Sequence, residues 1–159
     1  MKRLLIALVV ALLTGVGAAA QSRQDFADKF LSLYGKEHEL HCQTISPQMM
    51  QRILQLDDVA ANKQTLHVLS QMRSLRILRS LASATEARDL FAKARQLAVR
   101  NKRRYTIRES DDLHSVYVRR RDKRLVEVVV TKIKEGNKFY MIDLTGNLSD
   151  DFIQQILRI

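Results

Sequence analysis

The sequence predicts an α+β fold: a single domain, an antiparallel β-meander with helices packed on one face. Three observations carry this expectation. Between residues 104 and 144, apolar and polar residues alternate with period two in four closely spaced stretches. The stretches before and after that region instead repeat their apolar residues with the 3.6-residue period of helices. Short turns containing Asp, Gly or Lys separate the alternating stretches, which suits antiparallel neighbours and leaves no room for crossover helices.

Taken in order, the first element is an export signal. Lys2 and Arg3 precede the apolar run LLIALVVALL, and Ala18-Ala19-Ala20 supplies small residues before Gln21. The run is shorter than the roughly 20 apolar residues of a membrane span. Residues 1–20 therefore read as a cleaved signal peptide, and residues 21–24 as a loose lead-in. No Cys follows the apolar run, so a lipoprotein is not expected; the expected location is the periplasm or outer envelope. Removing 20 of the 159 residues leaves 139, enough for one domain, residues 25–159, with its own core. No second apolar run is long enough to span a membrane.

Phe26, Phe30, Leu33 and Tyr34 form a helical stripe ending at Gly35. HELHCQTI follows as a short strand, with Leu40, Cys42 and Ile45 turned inward. Ser46-Pro47 opens a second helix, because Ser caps free amides and Pro has none to lose at the first helical position. Residues 57–71 show no strong period, and Leu66, Leu69 and Met72 allow one further helical turn. SLRILRS reads as a strand with Leu75 and Ile77 on one face. Ser83 and Glu86 match a capping box opening the helix of Ala87, Leu90, Phe91, Ala94, Leu97 and Ala98.

In the meander, Tyr105 and Ile107 share one side, and Val116 and Val118 lie opposite Tyr117 and Arg119. Val126, Val128 and Val130 form one face of the next strand, with apolar residues also on the other, which marks it as central. Glu135-Gly136-Asn137 makes a turn into KFYMIDLT. Ser149 then caps a last helix, with Asp150 and Asp151 in its first turn and Leu148 and Ile153 spaced as a hydrophobic staple.

Chemistry-bearing motifs are sparse. His38, His41 and Cys42 have metal-ligand identities, but an extended backbone points the two histidines to opposite sides, and four ligands do not converge. Cys42 is the single cysteine and cannot form an internal disulfide. The pairs Asp57-Asp58, Asp111-Asp112 and Asp150-Asp151 fall where Asp serves turns and helix starts. There is no nucleophile elbow, P-loop or dinucleotide fingerprint, so no cofactor is expected.

Charge is the stronger signal. The chain carries a formal net charge of +10, and residues 73–138 hold 19 Lys and Arg against 8 Asp and Glu. Such a field favours anionic partners: acidic lipid, polyanionic glycan or acidic protein. Arg104, Arg108, Arg119, Arg121 and Lys123, interleaved with Tyr117, Phe139 and Met141, are the candidate contact face. Export argues against nucleic acid as the normal partner.

The early Phe26–Phe30 helix, the Ile45-Ser46-x-x-Met49-Met50 turn, SLRILRS, the Phe91 helix and LVEVVVT…FYMIDLTGNLSDDFIQQIL together resemble domain-of-unknown-function family 4252. That resemblance implies an exported bacterial envelope protein and carries over no catalytic or binding residue. The expectation is a non-enzymatic envelope protein that binds a protein partner or an anionic surface through the basic and aromatic sheet face. The alternative is a small hydrolase-like enzyme with an unfamiliar site, which would need a concave pocket with convergent titratable groups.

Overall fold

A computed structural model describes residues 24–80, 83–101, 104–134 and 138–157. The expected signal peptide and the Glu135-Gly136-Asn137 turn lie outside the described residues. Helix α1 (Phe26–Tyr34) leads into β1 (Leu40–Ile45), α2 (Pro47–Leu54), α3 (Asp57–Ala61), α4 (Lys63–Ser70) and β2 (Met72–Ser80). Helix α5 (Ala84–Arg100) then precedes β3 (Thr106–Ser110), β4 (His114–Arg121), β5 (Arg124–Lys134), β6 (Lys138–Leu148) and α6 (Asp150–Leu157). All six strands form one antiparallel sheet in the order β1-β2-β6-β5-β4-β3. The meander of β3 to β6 and the α+β class are as the sequence predicts.

The helix starts follow local chemistry. Asp25 caps α1 by accepting the Asp28 amide at 2.8 Å, and Ser46 caps α2 by accepting from Met49 at 3.2 Å. Ser149 accepts from Phe152 at 3.1 Å and so starts α6. The capping box of α5 does not form: Ser83 makes no side-chain cap bond, and Glu86 instead meets His38 Nδ1 at 2.6 Å. Residues 57–71, without a strong period, fold as the short helices α3 and α4, the second capped by Asn62 through the Thr65 amide.

Helices cover both faces of the sheet, which corrects the one-sided arrangement the sequence suggests. On the first face, Phe26 and Phe30 of α1 and the apolar stripe of α5 pack with Leu78, Tyr117, Val129, Phe139 and Met141. On the second, Met50 of α2, Leu69 of α4, and Phe152 and Ile153 of α6 pack with Leu75, Val116, Val128, Val130 and Leu144. The reason lies in β4, β5 and β6, whose alternate residues are apolar on both sides; each face needs cover, and each buried large apolar side chain contributes about 2–3 kcal/mol.

Two further details depart from simple alternation. A bulge between Leu125 and Glu127 puts Leu125, in place of Val126, in the core with Val128 and Val130. Cys42, expected inside, is exposed on edge strand β1. Three positions are tightly specified by backbone. A Cβ on Gly146 would stand 2.0 Å from the Gln71 carbonyl oxygen, at the irregular start of the β2–β6 pairing. Asp122 and Lys123 turn between β4 and β5 with φ of 50° and 67°, the left-handed pair of a two-residue hairpin.

Candidate anion-binding face

The predicted contact set does not form one surface. Tyr117, Phe139 and Met141 are wholly buried beneath α1 and α5. Tyr117 stacks on Phe26 with ring centroids 5.6 Å apart, and Phe139 stacks on Phe30 at 5.7 Å. They are core, because the helices take the face on which they lie. Arg104 and Arg108 stay exposed beside or on edge strand β3, and Arg121 and Lys123 are exposed at the β4–β5 hairpin. Arg119 is drawn inward instead.

Arg119 belongs to a buried polar network that ties α1 to the sheet. Its Nε donates to Glu127 Oε2 at 2.5 Å, while Glu127 Oε1 accepts the Phe26 amide at 2.7 Å. The Tyr105 hydroxyl donates to the same carboxylate at 3.1–3.2 Å. Asp143, one strand over, accepts the Ala27 amide at 2.8 Å, and its other oxygen has no partner among the described residues. Arg76 of β2 pairs with Asp28 and stands 3.2 Å from Asp25 Oδ2. Two sheet carboxylates thus satisfy consecutive free amides at the positive end of α1.

Burial dominates the acidities. Desolvation raises Asp25 to about 6, against which the Asp28 amide and Arg76 pull down. Asp143 is pushed well above the ordinary carboxylate range by burial first and by the Glu127 and Asp25 charges second. Burial likewise raises the Tyr105 phenol, which therefore stays a hydrogen-bond donor. Asp25, Glu127 and Asp143 are buried, and Glu127 and Asp143 hold the first amides of α1, so the network ties that helix to the sheet.

A different constellation does face outward. Strand register aligns His41 with Arg79, Arg79 with Tyr140, Tyr140 with Lys132, and Lys132 with His114. The row crosses five strands, about 19 Å at the usual strand spacing. It lies on the second face, two residues beyond Ile77, Ile142, Val130 and Val116, where the cover from α2, α4 and α6 ends. Lys134 pairs with Lys138 in the next rank outward, and both are exposed.

Among the described residues, Arg79, Lys132, Lys134 and Lys138 make no salt bridge, whereas Arg76, Arg119, Arg120 and Arg121 each have an acidic neighbour. Like charges placed opposite each other cost stability, and Lys134 opposite Lys138 is such a pair. The crowding registers on Lys132, whose pKa is lowered by partial burial and by the Lys134 charge. At the end of the row, burial and the Lys132 charge lower His114, so its imidazole is neutral at pH 7. At the His114 end of the row, Glu109 lies 4.0 Å from His114, and Asp111 turns back onto the Leu113 and His114 amides at 2.8 and 2.6 Å.

Sequence reasoning missed this row. The alternation of Lys132, Lys134, Lys138 and Tyr140 was visible, but Arg79 joins them only through the pairing of β2 with β6. The histidine and cysteine candidates take separate places. His38 is held between Glu86 and Lys93, His41 ends the row, and Cys42 lies on the opposite side of β1. No group of three or more His, Cys, Asp or Glu among the described residues is arranged to hold a metal ion.

Comparison with known proteins gives one match. A family model described as "Domain of unknown function (DUF4252)" matches residues 34–156, most of the chain. No curated protein and no solved structure matches.

Proposed function

We propose that this chain, which belongs to the DUF4252 family, is an exported, non-enzymatic binding module of the cell envelope that takes an anionic surface on its basic row. One observation carries the reading. Arg79, Lys132, Lys134 and Lys138 stand on one uncovered part of the sheet around Tyr140, without acidic partners among the described residues. Cations already paired within the protein have little left to give a ligand, and unpaired ones keep their full field. The export signal read in residues 1–20 supports the location. The competing hydrolase reading would draw on Asp25, Glu127 and Asp143, all buried and bonded to α1.

The test separates the row from bulk charge. The triple variant Lys132→Gln, Lys134→Gln, Lys138→Gln is compared with Arg121→Gln, Lys123→Gln, Arg124→Gln, which removes three charges from the hairpin end. On immobilised heparin the row variant should elute at clearly lower salt, while the hairpin variant stays near wild type. Equal displacement of the two would mean that net charge alone is read, and would overturn the proposal.

A further inference from the structure

We infer that the anionic surface taken by the row is a lipid bilayer, on which the uncovered end of the sheet lies flat. This rests on the reading above and goes beyond it by committing to the occupant. The first support is shape. The cations sit on a sheet face spanning five strands, and a bilayer presents a plane of phosphates to match.

The second support is the apolar rim. At the same end of the sheet, the β3–β4 turn carries Leu113, one of the most exposed large apolar side chains at 54%. Of the two acids beside Leu113, Asp111 accepts the Leu113 and His114 amides, and Asp112 is exposed. Tyr140, half-buried between Arg79 and Lys132, has the amphipathic ring that settles at the headgroup level.

Attachment through this face is peripheral: cations at the phosphates and one leucine at the acyl boundary. Such binding is reversible and salt-sensitive.

The experiment is sedimentation of the mature chain with phosphatidylcholine vesicles, with or without one part in four of phosphatidylglycerol. Binding should require the anionic lipid and weaken as salt rises. The row triple variant should bind about 100-fold more weakly, from the worth of three cations near an anionic surface. Leu113→Ser should lose about 10-fold, from one exposed leucine, while keeping the salt dependence of wild type. Unchanged urea midpoints would show that both variants are folded. Vesicle binding that the row variant leaves intact overturns the inference. So does a wild-type chain that binds heparin through the row but ignores anionic vesicles, and that outcome leaves the proposed function standing. Loss of row-dependent binding to heparin as well would mean that the proposed function itself has failed.

Discussion

Removing the Glu127 carboxylate should destabilise this protein more than its place in an alternating strand implies. Glu127 is fully buried and accepts from three donors: the Phe26 amide, the Tyr105 hydroxyl and Arg119 Nε. In Glu127→Ala the first two lose their acceptor inside the core, and each orphaned buried donor costs about 1–3 kcal/mol. Arg119 is partly exposed and regains some hydration, which moderates its share. The total should lie near 3–5 kcal/mol, the usual cost of breaking a buried ion pair from one side. That is a large part of the 5–15 kcal/mol by which domains are typically stable. Glu127→Gln keeps an acceptor for Phe26 and Tyr105, and it removes one of the charges that raise Asp143, so it should cost roughly half as much. The chain has no Trp, so urea unfolding of residues 21–159 is followed by far-ultraviolet circular dichroism. A loss below about 1 kcal/mol for Glu127→Ala would refute the claim that the network holds α1 to the sheet.

Two other outcomes test the structure. Burial holds Asp25 at about 6, above its ordinary 3.8, so the folded state binds that proton more tightly than the unfolded chain. Its contribution to stability is therefore largest below pH 4 and falls as pH rises through 6. Asp25→Asn, which keeps a capping acceptor, should flatten the stability profile between pH 4 and 7, and an unchanged slope would contradict the assignment. Separately, Lys123 carries a left-handed φ of 67° at the second position of the β4–β5 turn. Lys123→Gly should raise the thermal midpoint, with a gain of about 1 kcal/mol, because glycine takes that conformation without the Cβ penalty. A fall in the midpoint would show that the turn is not under this constraint.

The meander, α5, α6 and the Ser46-Pro47 helix start were legible because each rests on neighbours in sequence: a period, a cap or a staple. What escaped depends on distance. Glu127 and Asp143 sit at alternating positions where a charged residue ordinarily faces water. Their partners, the amides of Phe26 and Ala27, are 101 and 116 residues away. Nothing local distinguishes such a carboxylate from a solvated one. The same limit hid the faces. Tyr117, Phe139 and Met141 were legible as one side of a sheet, but whether α1 and α5 cover that side is decided by chain path. The capping box failed for a related reason: Glu86 had a competing partner in His38, 48 residues earlier, which a four-residue motif cannot anticipate.

Connections also explain why the row is open. On the second face, α2, α3 and α4 leave β1 at Ile45 and return to β2 at Met72, and α6 follows β6 at Leu148. By the strand register these three points share the hairpin end of the sheet. Their apolar residues therefore settle over Leu75, Leu125, Val128 and Leu144, and cover thins toward the half-buried Ile77 and Ile142. On the first face α5 leaves β2 at the row end and reaches β3 at the other, so it runs the length of the sheet. Among the described residues no comparable element starts on the second face at the row end, where the connection β3–β4 is short. A sheet left uncovered by helices must have polar residues there, but solvation alone would be served by mixed charge. Four cations without acidic partners among the described residues, two of them directly opposed, cost stability that mixed charge would spare, and the anionic surface proposed for the row would offset that cost.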